Sequence, residues 1–376
     1  MNIGQKAIVV GAGIVGLATA RALSIKGFKV TVIDKTQEAI GASIRNFGML
    51  WPVGQPDGAL YSRAKRSKEI WLECLKGMGL SYNACGSVHL AYHQDEWDVL
   101  TEMQSVFSDN HRPVSLLTPS QIGEKFSGIN SRKLLGGLYS DDEVIIDPRA
   151  AIKGLPAYLH EIYGVKFIWG TAITQVAANK VASFDKSFDA DLICICSGSD
   201  FETLYPSVFA SLPITKSRLQ MMRFVHENPN FKIGTAVCGG LSLLHYKSFA
   251  VASTLPVLKA RIDAELSEYV KHGIHVMVSQ NANGELTVGD THEYGLDFDP
   301  FDNHYQNQLI LDYLKKMMHI DDWHITQSWN GIYPTMKNGD TDLFVEIESG
   351  IYILNGIGGH GMTMSFGFAE EMINKL

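Results

Sequence analysis

At 376 residues the chain is too long for one ordinary hydrophobic core and leaves space for two intertwined domains. Hydrophobic residues make up 45% and charged residues 19%, which excludes a disordered chain. A net charge of −8, from 32 basic and 40 acidic residues, argues against nucleic acid as the main partner. Taken in chain order, the first feature is Lys6 followed by an uncharged run, Ala7 to Ala20. It imitates a signal peptide but falls short of the ~20 residues a membrane span needs, and no other stretch is long enough. Five cysteines (Cys74, Cys85, Cys194, Cys196, Cys238) show neither C-x-x-C spacing nor an even count. Reduced thiols, and hence a cytoplasmic protein without a membrane span, are the expectation.

Within that run "KAIVV" reads as a short apolar strand, "IVGLATARALSIKG" as a helix with Gly27 just past its end, and "FKVTVID" as a second strand ending in Asp34. Between strand and helix, Gly11, Gly13 and Gly16 spell G-x-G-x-x-G. Strand, tight turn, helix, strand and acidic residue together are the context a dinucleotide pyrophosphate needs. Gly11 makes the turn, Gly13 lets the phosphates approach the backbone, and Gly16 lets helix and strand pack closely. Ile14 and Val15 open the helix whose free N–H groups face the phosphates. Asp34, with Lys35 beside it, is placed to accept from a ribose 2′-hydroxyl, which disfavours NADP. The loop alone does not choose between NAD and FAD.

Further on, "GASIRNFGMLWPVGQ" (41–55) precedes a helical stretch, "SRAKRSKEIWLECLKGMG", a strand, "GSVHLAYH", and a helix from about Asp95 to Phe107. Residues 164–199 read as a hairpin or meander, then a returning strand, "DLICICSG", with Cys194 and Cys196 on one buried face. Strand-like segments ("LQMMRFVH", "GIHVMVSQ", "GELTVGDTHEYG") and the helix "NHYQNQLILDYLKKMM" lie between about 218 and 325. The last 50 residues give strand, glycine-rich turn ("IGGHG") and helix. An α/β fold follows: a Rossmann-like domain built from 1–85, 147–217 and 326–376, with an inserted α+β substrate domain, 86–146 and 218–325, on a mostly antiparallel sheet.

On segments 8–35, 41–50, 172–198 and 329–364 the chain resembles the glycine oxidase, sarcosine oxidase and D-amino-acid oxidase family of FAD-dependent enzymes, of the glutathione-reductase-like type. The resemblance implies that Ala42, Ser43, Arg45, Asn46, Phe47, Gly48 and Met49 lie along the pyrophosphate and flavin. It further implies that Ile173 contacts the adenine and that Ser197 and Gly198 flank the pyrophosphate. Gly356, Gly358, Gly359, His360, Gly361, Met362 and Thr363 would lie against the flavin pyrimidine. The small residues of that loop allow close approach, and the helix near Met362 would aim its positive end at a reduced, anionic flavin.

The departures from the family bear on substrate. Tyr333 stands where relatives carry a carboxylate-binding arginine, Thr363 where sarcosine oxidase has a lysine, and Thr287 where that enzyme has its oxygen-activating lysine. No cysteine matches its flavin-linking one, so FAD is expected to be non-covalent. Arg218, Arg223 and Lys247 are the cations available to replace the clamp, since a guanidinium suits carboxylate and phosphonate equally. The stretches "ASIRNFGMLWPVGQ", "LSLLHYKSF" and "NGIGGHGMTMSFG" also resemble a bacterial subgroup associated with aminophosphonate breakdown. Trp51, His245, Tyr246, Trp329 and Tyr333 are candidates for an amine pocket, with Tyr333, His360 and His245 as catalytic candidates. No metal is expected at the histidines. The reaction expected is oxidation of the C–N bond of a small primary or secondary amine by hydride transfer to flavin N5. The imine is then hydrolysed, and O₂ is the acceptor. A dehydrogenase serving a quinone or carrier and a flavin-binding RNA-modification module are the alternatives. The oligomeric state is left open.

Overall fold

The computed structural model describes residues 4–376. Its first sheet has the order Leu343–Glu348, Ile351–Asn355, Leu192–Ile195, Lys6–Val10, Lys29–Ile33, Lys166–Ile168. All its pairs are parallel except the first, which closes a hairpin. Alternation along each strand sorts the side chains between two layers. Ala7, Val9, Val30, Val32, Leu192 and Cys194 face the helices Ile14–Ile25, Ala59–Met78, Pro148–Tyr163 and Gly361–Asn374. Ile8, Ile33, Ile193, Ile195 and Ile353 face the other way, onto a small meander of Gln175–Ala177, Lys180–Ala182 and Ser187–Asp189. Gly27, with φ +98°, closes the first helix by donating to Ser24 O at 3.0 Å.

The second sheet has nine strands and is antiparallel except where Ala236–Cys238 runs beside Ser87–Ala91. Its spine is the pairing of Ile214–His226 with Trp323–Met336, registered from Ile214↔Met336 to His226↔Trp323. Both strands belong wholly to this sheet and run across the boundaries drawn from the sequence at 217/218 and 325/326, so those boundaries fall inside its central pair. The helices Leu241–His245, Leu255–Glu265 and Ser267–Lys271 fill a stretch that the sequence pattern left unassigned. Leu255–Glu265 buries only Leu258 and Ile262, too few apolar positions to announce a helix. No described helix is long and apolar enough to cross a membrane.

Candidate active site

A cavity of about 710 Å³ runs from the first sheet to the second. At one end it is lined by Gly11, Gly13, Ile14, Val15, Asp34, Lys35, Ile173, Ser197 and Gly198. The turn at Gly11 (φ +107°) brings the loop so close to the next strand that a Cβ there would sit 2.3 Å from Cys196 O. Gly13, by contrast, faces the cavity and precedes a helix that carries no side-chain cap of its own. Ser43 Oγ accepts from Ile14 N at 2.9 Å, which ties the following segment to the helix entry. Asp34 is held by Ala12 N at 2.6 Å and by Thr36 N at 2.8 Å. Ser197 Oγ is buried without a protein partner. A glycine cradle, a helix N-terminus whose own cap residue, Gly13, offers no side chain, an oriented carboxylate and an orphan hydroxyl together fit the phosphates and ribose of a dinucleotide.

The middle of the cavity is lined by Ala42, Ser43, Arg45, Asn46, Phe47 and Met49 on one side. Gly356, Gly358, Gly359, His360, Gly361, Met362 and Thr363 line the other. Gly16 and Gly48 lie outside the lining and shape it from behind: Gly16 packs on Gly11, and Gly48 (φ +69°) on Ile146 O. Asn46 holds its own loop through Ala42 O, Ser43 O and Gly48 N. Thr363 Oγ1 accepts from Trp51 N at 2.9 Å, so the C-terminal helix and the 41–55 segment are stitched together. Cys196 is the cysteine among the lining residues, and its Sγ turns to Thr19 Oγ1 at 3.8 Å.

The far end is lined by Trp51, Gln55, Leu219, Met221, His245, Tyr246, Lys247, Met277, Tyr333 and His360. Arg218 and Arg223, expected at the substrate, are absent from this lining. Arg218 lies 3.4 Å from Glu293 and 3.6 Å from Asp302, and Arg223 pairs with Glu285. The reason for Arg218 is strand parity: Leu219 and Met221 take the cavity face, so Arg218 takes the opposite one. Arg223 lies further along, where the register of that strand shifts. Trp329 lines a separate shallow basin with Arg45 and Arg149. Of the three cations named from sequence, Lys247 reaches the cavity, its Nζ donating to Gly339 O at 2.6 Å. Thr287 is buried within the sheet, between Arg223 and Ser279.

His360 Nδ1 sits 3.0 Å from Gln55 Nε2, and burial together with Lys247 lowers its imidazole to about 4. Burial pushes the Tyr333 phenol up, with Asp290 adding to the shift. What sequence spacing did not reveal is a cluster: His245, His275 and His292 bring one ring nitrogen each within 4.8 Å of one another. Asp290 joins them, 3.1 Å from His275 Nε2 and 4.0 Å from His292 Nε2. His245 keeps accessible surface toward the cavity, yet burial and its two neighbours hold its imidazole well below the usual range. The same holds for His275, and His292 is lowered to about 4. Asp290 and His292 lie two apart in the loop between Leu286–Gly289 and Glu293–Gly295, with Tyr294 two further on, and that spacing is the signal that could have found them.

A family model described as FAD dependent oxidoreductase matches residues 6–375. The tRNA 5-methylaminomethyl-2-thiouridine biosynthesis bifunctional protein MnmC of Ectopseudomonas mendocina (strain ymp) is 24% identical over 241 residues, 62% of this chain and 35% of the relative. The chain thus spans about a third of that relative's length. Glycine oxidase from Bacillus cereus superposes with TM-score 0.78 at 15% identity, covering 99% of this chain and 94% of that one. L-alpha-glycerophosphate oxidase from Mycoplasma pneumoniae with FAD bound gives 0.77 at 20%, with 99% and 94% covered.

Proposed function

The chain belongs to the family of FAD-dependent oxidoreductases, and from that premise we propose that it oxidises the C–N bond of a small amine bearing an anionic group. The amine is primary or secondary: an amino acid, an N-methyl amine or an aminophosphonate. The observation that carries this reading is the far end of the cavity, where Lys247 stands near His360 and aromatic walls of Trp51, Tyr246 and Tyr333 enclose the space. FAD held along the glycine cradle supplies a hydride acceptor for the carbon beside nitrogen.

The chain's own contribution is binding, orientation and exclusion of water. Lys247 offers a point charge to an anionic end, and its compact ammonium suits carboxylate and phosphonate alike. Tyr333 offers one neutral donor where relatives hold a guanidinium, so a simple α-carboxylate is clamped less firmly here. Trp51, Leu219, Met221 and Met277 close the pocket with apolar surface, which keeps water from the reacting carbon. Glycine oxidase, named for an amine substrate, shares the fold. With Cys196 turned away at the pyrophosphate end, the cofactor is non-covalent on this reading.

The reading is tested by adding a panel of amino acids, N-methyl amines and aminophosphonates anaerobically to the FAD-loaded protein. At least one should bleach the visible band of the oxidised flavin. If none does, C–N oxidation is the wrong chemistry. We take O₂ as the acceptor, and hydrogen peroxide in stoichiometric yield is its test. A carrier-linked dehydrogenase would yield none.

A further inference from the structure

We propose that Asp290, His275 and His292, walled by Tyr246, form a subsite for the substrate's ammonium group. The inference rests on the amine reading and names where the nitrogen binds. Asp290 and His275 face each other just past the paired ends of two strands, with Asp290 N donating to His275 O at 3.0 Å and His275 N to Asp290 O at 3.3 Å. Both residues are 4% exposed; Asp290 Oδ1 lies 3.1 Å from His275 Nε2 without the alignment of a hydrogen bond, and His275 Nδ1 has no partner. Polar atoms this deep normally find one. His292 donates from Nδ1 to Gly273 O at 3.0 Å, which fixes its tautomer and leaves the Nε2 lone pair bare. Carboxylate oxygen and imidazole lone pair both accept, so their natural occupant is a small donor of several N–H groups. The Tyr246 ring, 5.8 Å from the His275 ring, adds an aromatic wall beside these acceptors.

Two other occupants fit less well. An anion would meet the His292 lone pair and find no donor beyond the single proton of the Asp290 carboxyl. A metal ion needs ligand lone pairs converging on one point ~2 Å away in each ring plane. His245 and His275 are instead stacked, centroids 3.7 Å apart and planes at 24°, so their nitrogens run side by side.

The groups that face Asp290 are His275, His292, Tyr246, Tyr294 and Tyr333, with His245, His360 and Lys247 beyond them. Burial pushes the Asp290 carboxyl well above its usual range. An arriving ammonium therefore ionises the carboxyl, and one proton leaves to solvent. The ammonium then returns a proton to the carboxylate, and the neutral amine that a hydride donor must be is left in place.

The test uses tert-butylammonium, which has no C–H beside nitrogen and cannot be oxidised, and tert-butanol, its uncharged isostere. Each is titrated calorimetrically into the FAD-loaded protein near neutral pH, in two buffers of different ionisation enthalpy. The ammonium should bind about tenfold or more tighter than the alcohol, with about one proton released. Asp290→Asn should bring the two probes within about threefold of each other, and His292→Gln should narrow the gap, with FAD content unchanged in both. No saturable binding, equal affinities in the unmodified protein, or a preference that survives both substitutions overturns the proposal. So does one equivalent of a transition metal in the purified protein that His292→Gln loses. Because no oxidation is read, failure of the proposed reaction and failure of the subsite are separate results.

Discussion

Gly13 and Gly16 belong to one motif, yet the structure assigns their costs to different states of the protein. A Cβ on Gly16 would lie 1.9 Å from Gly11 O and 3.0 Å from Gly11 C, both backbone atoms that cannot swing aside. Relieving that overlap moves the helix entry and costs about 1–3 kcal/mol of folding free energy. Gly13 has φ −69° and ψ 174°, which any residue adopts, and a Cβ there meets only Ser43 Oγ at 3.3 Å. Gly13→Ala therefore leaves the FAD-free fold within about 0.5 kcal/mol of the original. Its methyl instead enters the lined space where the phosphates approach the backbone. Loss of that approach costs about 2 kcal/mol of binding, roughly thirtyfold in FAD affinity. The assay is flavin fluorescence titration of the FAD-free protein, paired with its thermal unfolding. Gly13→Ala should weaken FAD with an unchanged midpoint, while Gly16→Ala should lower the midpoint by about 1–4 °C. Retention of FAD affinity within threefold by Gly13→Ala would refute the reasoning, as would an unshifted midpoint for Gly16→Ala.

Lys247→Met should raise KM about tenfold or more for an anionic amine and leave an uncharged amine of equal size unaffected. An equal rise for both would remove Lys247 from the anion's path. Tyr333→Arg should improve kcat/KM for glycine relative to the preferred substrate, and efficient glycine turnover by the unmodified protein would show that another cation already serves. Glu143 is fully buried, accepts from Val53 N and Ser87 Oγ at 2.9 Å each, and titrates near about 7 instead of 4.5. The unfolded chain loses this proton first, so stability should fall as pH rises from ~4.5 to ~7, by about 3 kcal/mol. Glu143→Gln should flatten that fall in thermal midpoints across the range, and an unaltered pH dependence would count against it.

The dinucleotide end was legible because its physics is local. The glycines, the first helix and Asp34 lie within one short run of chain, and each role follows from backbone conformation at its own position. The same locality placed the strands Lys29–Ile33 and Leu192–Ile195, whose apolar runs sit between helices and meander. The boundary between the two sheets was not local. It depends on Ile214–His226 pairing with Trp323–Met336 along its whole length, about a hundred residues away, and no periodicity within either strand reveals where the partner continues.

The substrate end shows the same limit at the scale of single side chains. Arg218 looked like a replacement for the missing arginine because its charge was right. Its neighbour Leu219 lines the cavity, however, so parity alone turns the guanidinium toward Glu293 and Asp302. The pattern was present in "GDTHEYG", which sets Asp290, His292 and Tyr294 two apart, but it takes on meaning only beside His275 from the loop before Met277–Gln280 and His245 from a helix. The three imidazoles bring no H-x-x-x-H spacing because they come from three elements, and tertiary contact supplies what spacing could not. Their chemistry follows from that contact. Burial lowers each imidazole and leaves Asp290 reluctant to ionise, so on the proposed reading this end of the cavity turns lone pairs to an incoming cation once the carboxyl gives up its proton. If the proposed subsite holds, Tyr333 and the cluster at Asp290 act as one change in polarity, and the pocket selects its substrate more by the amine than by a carboxylate.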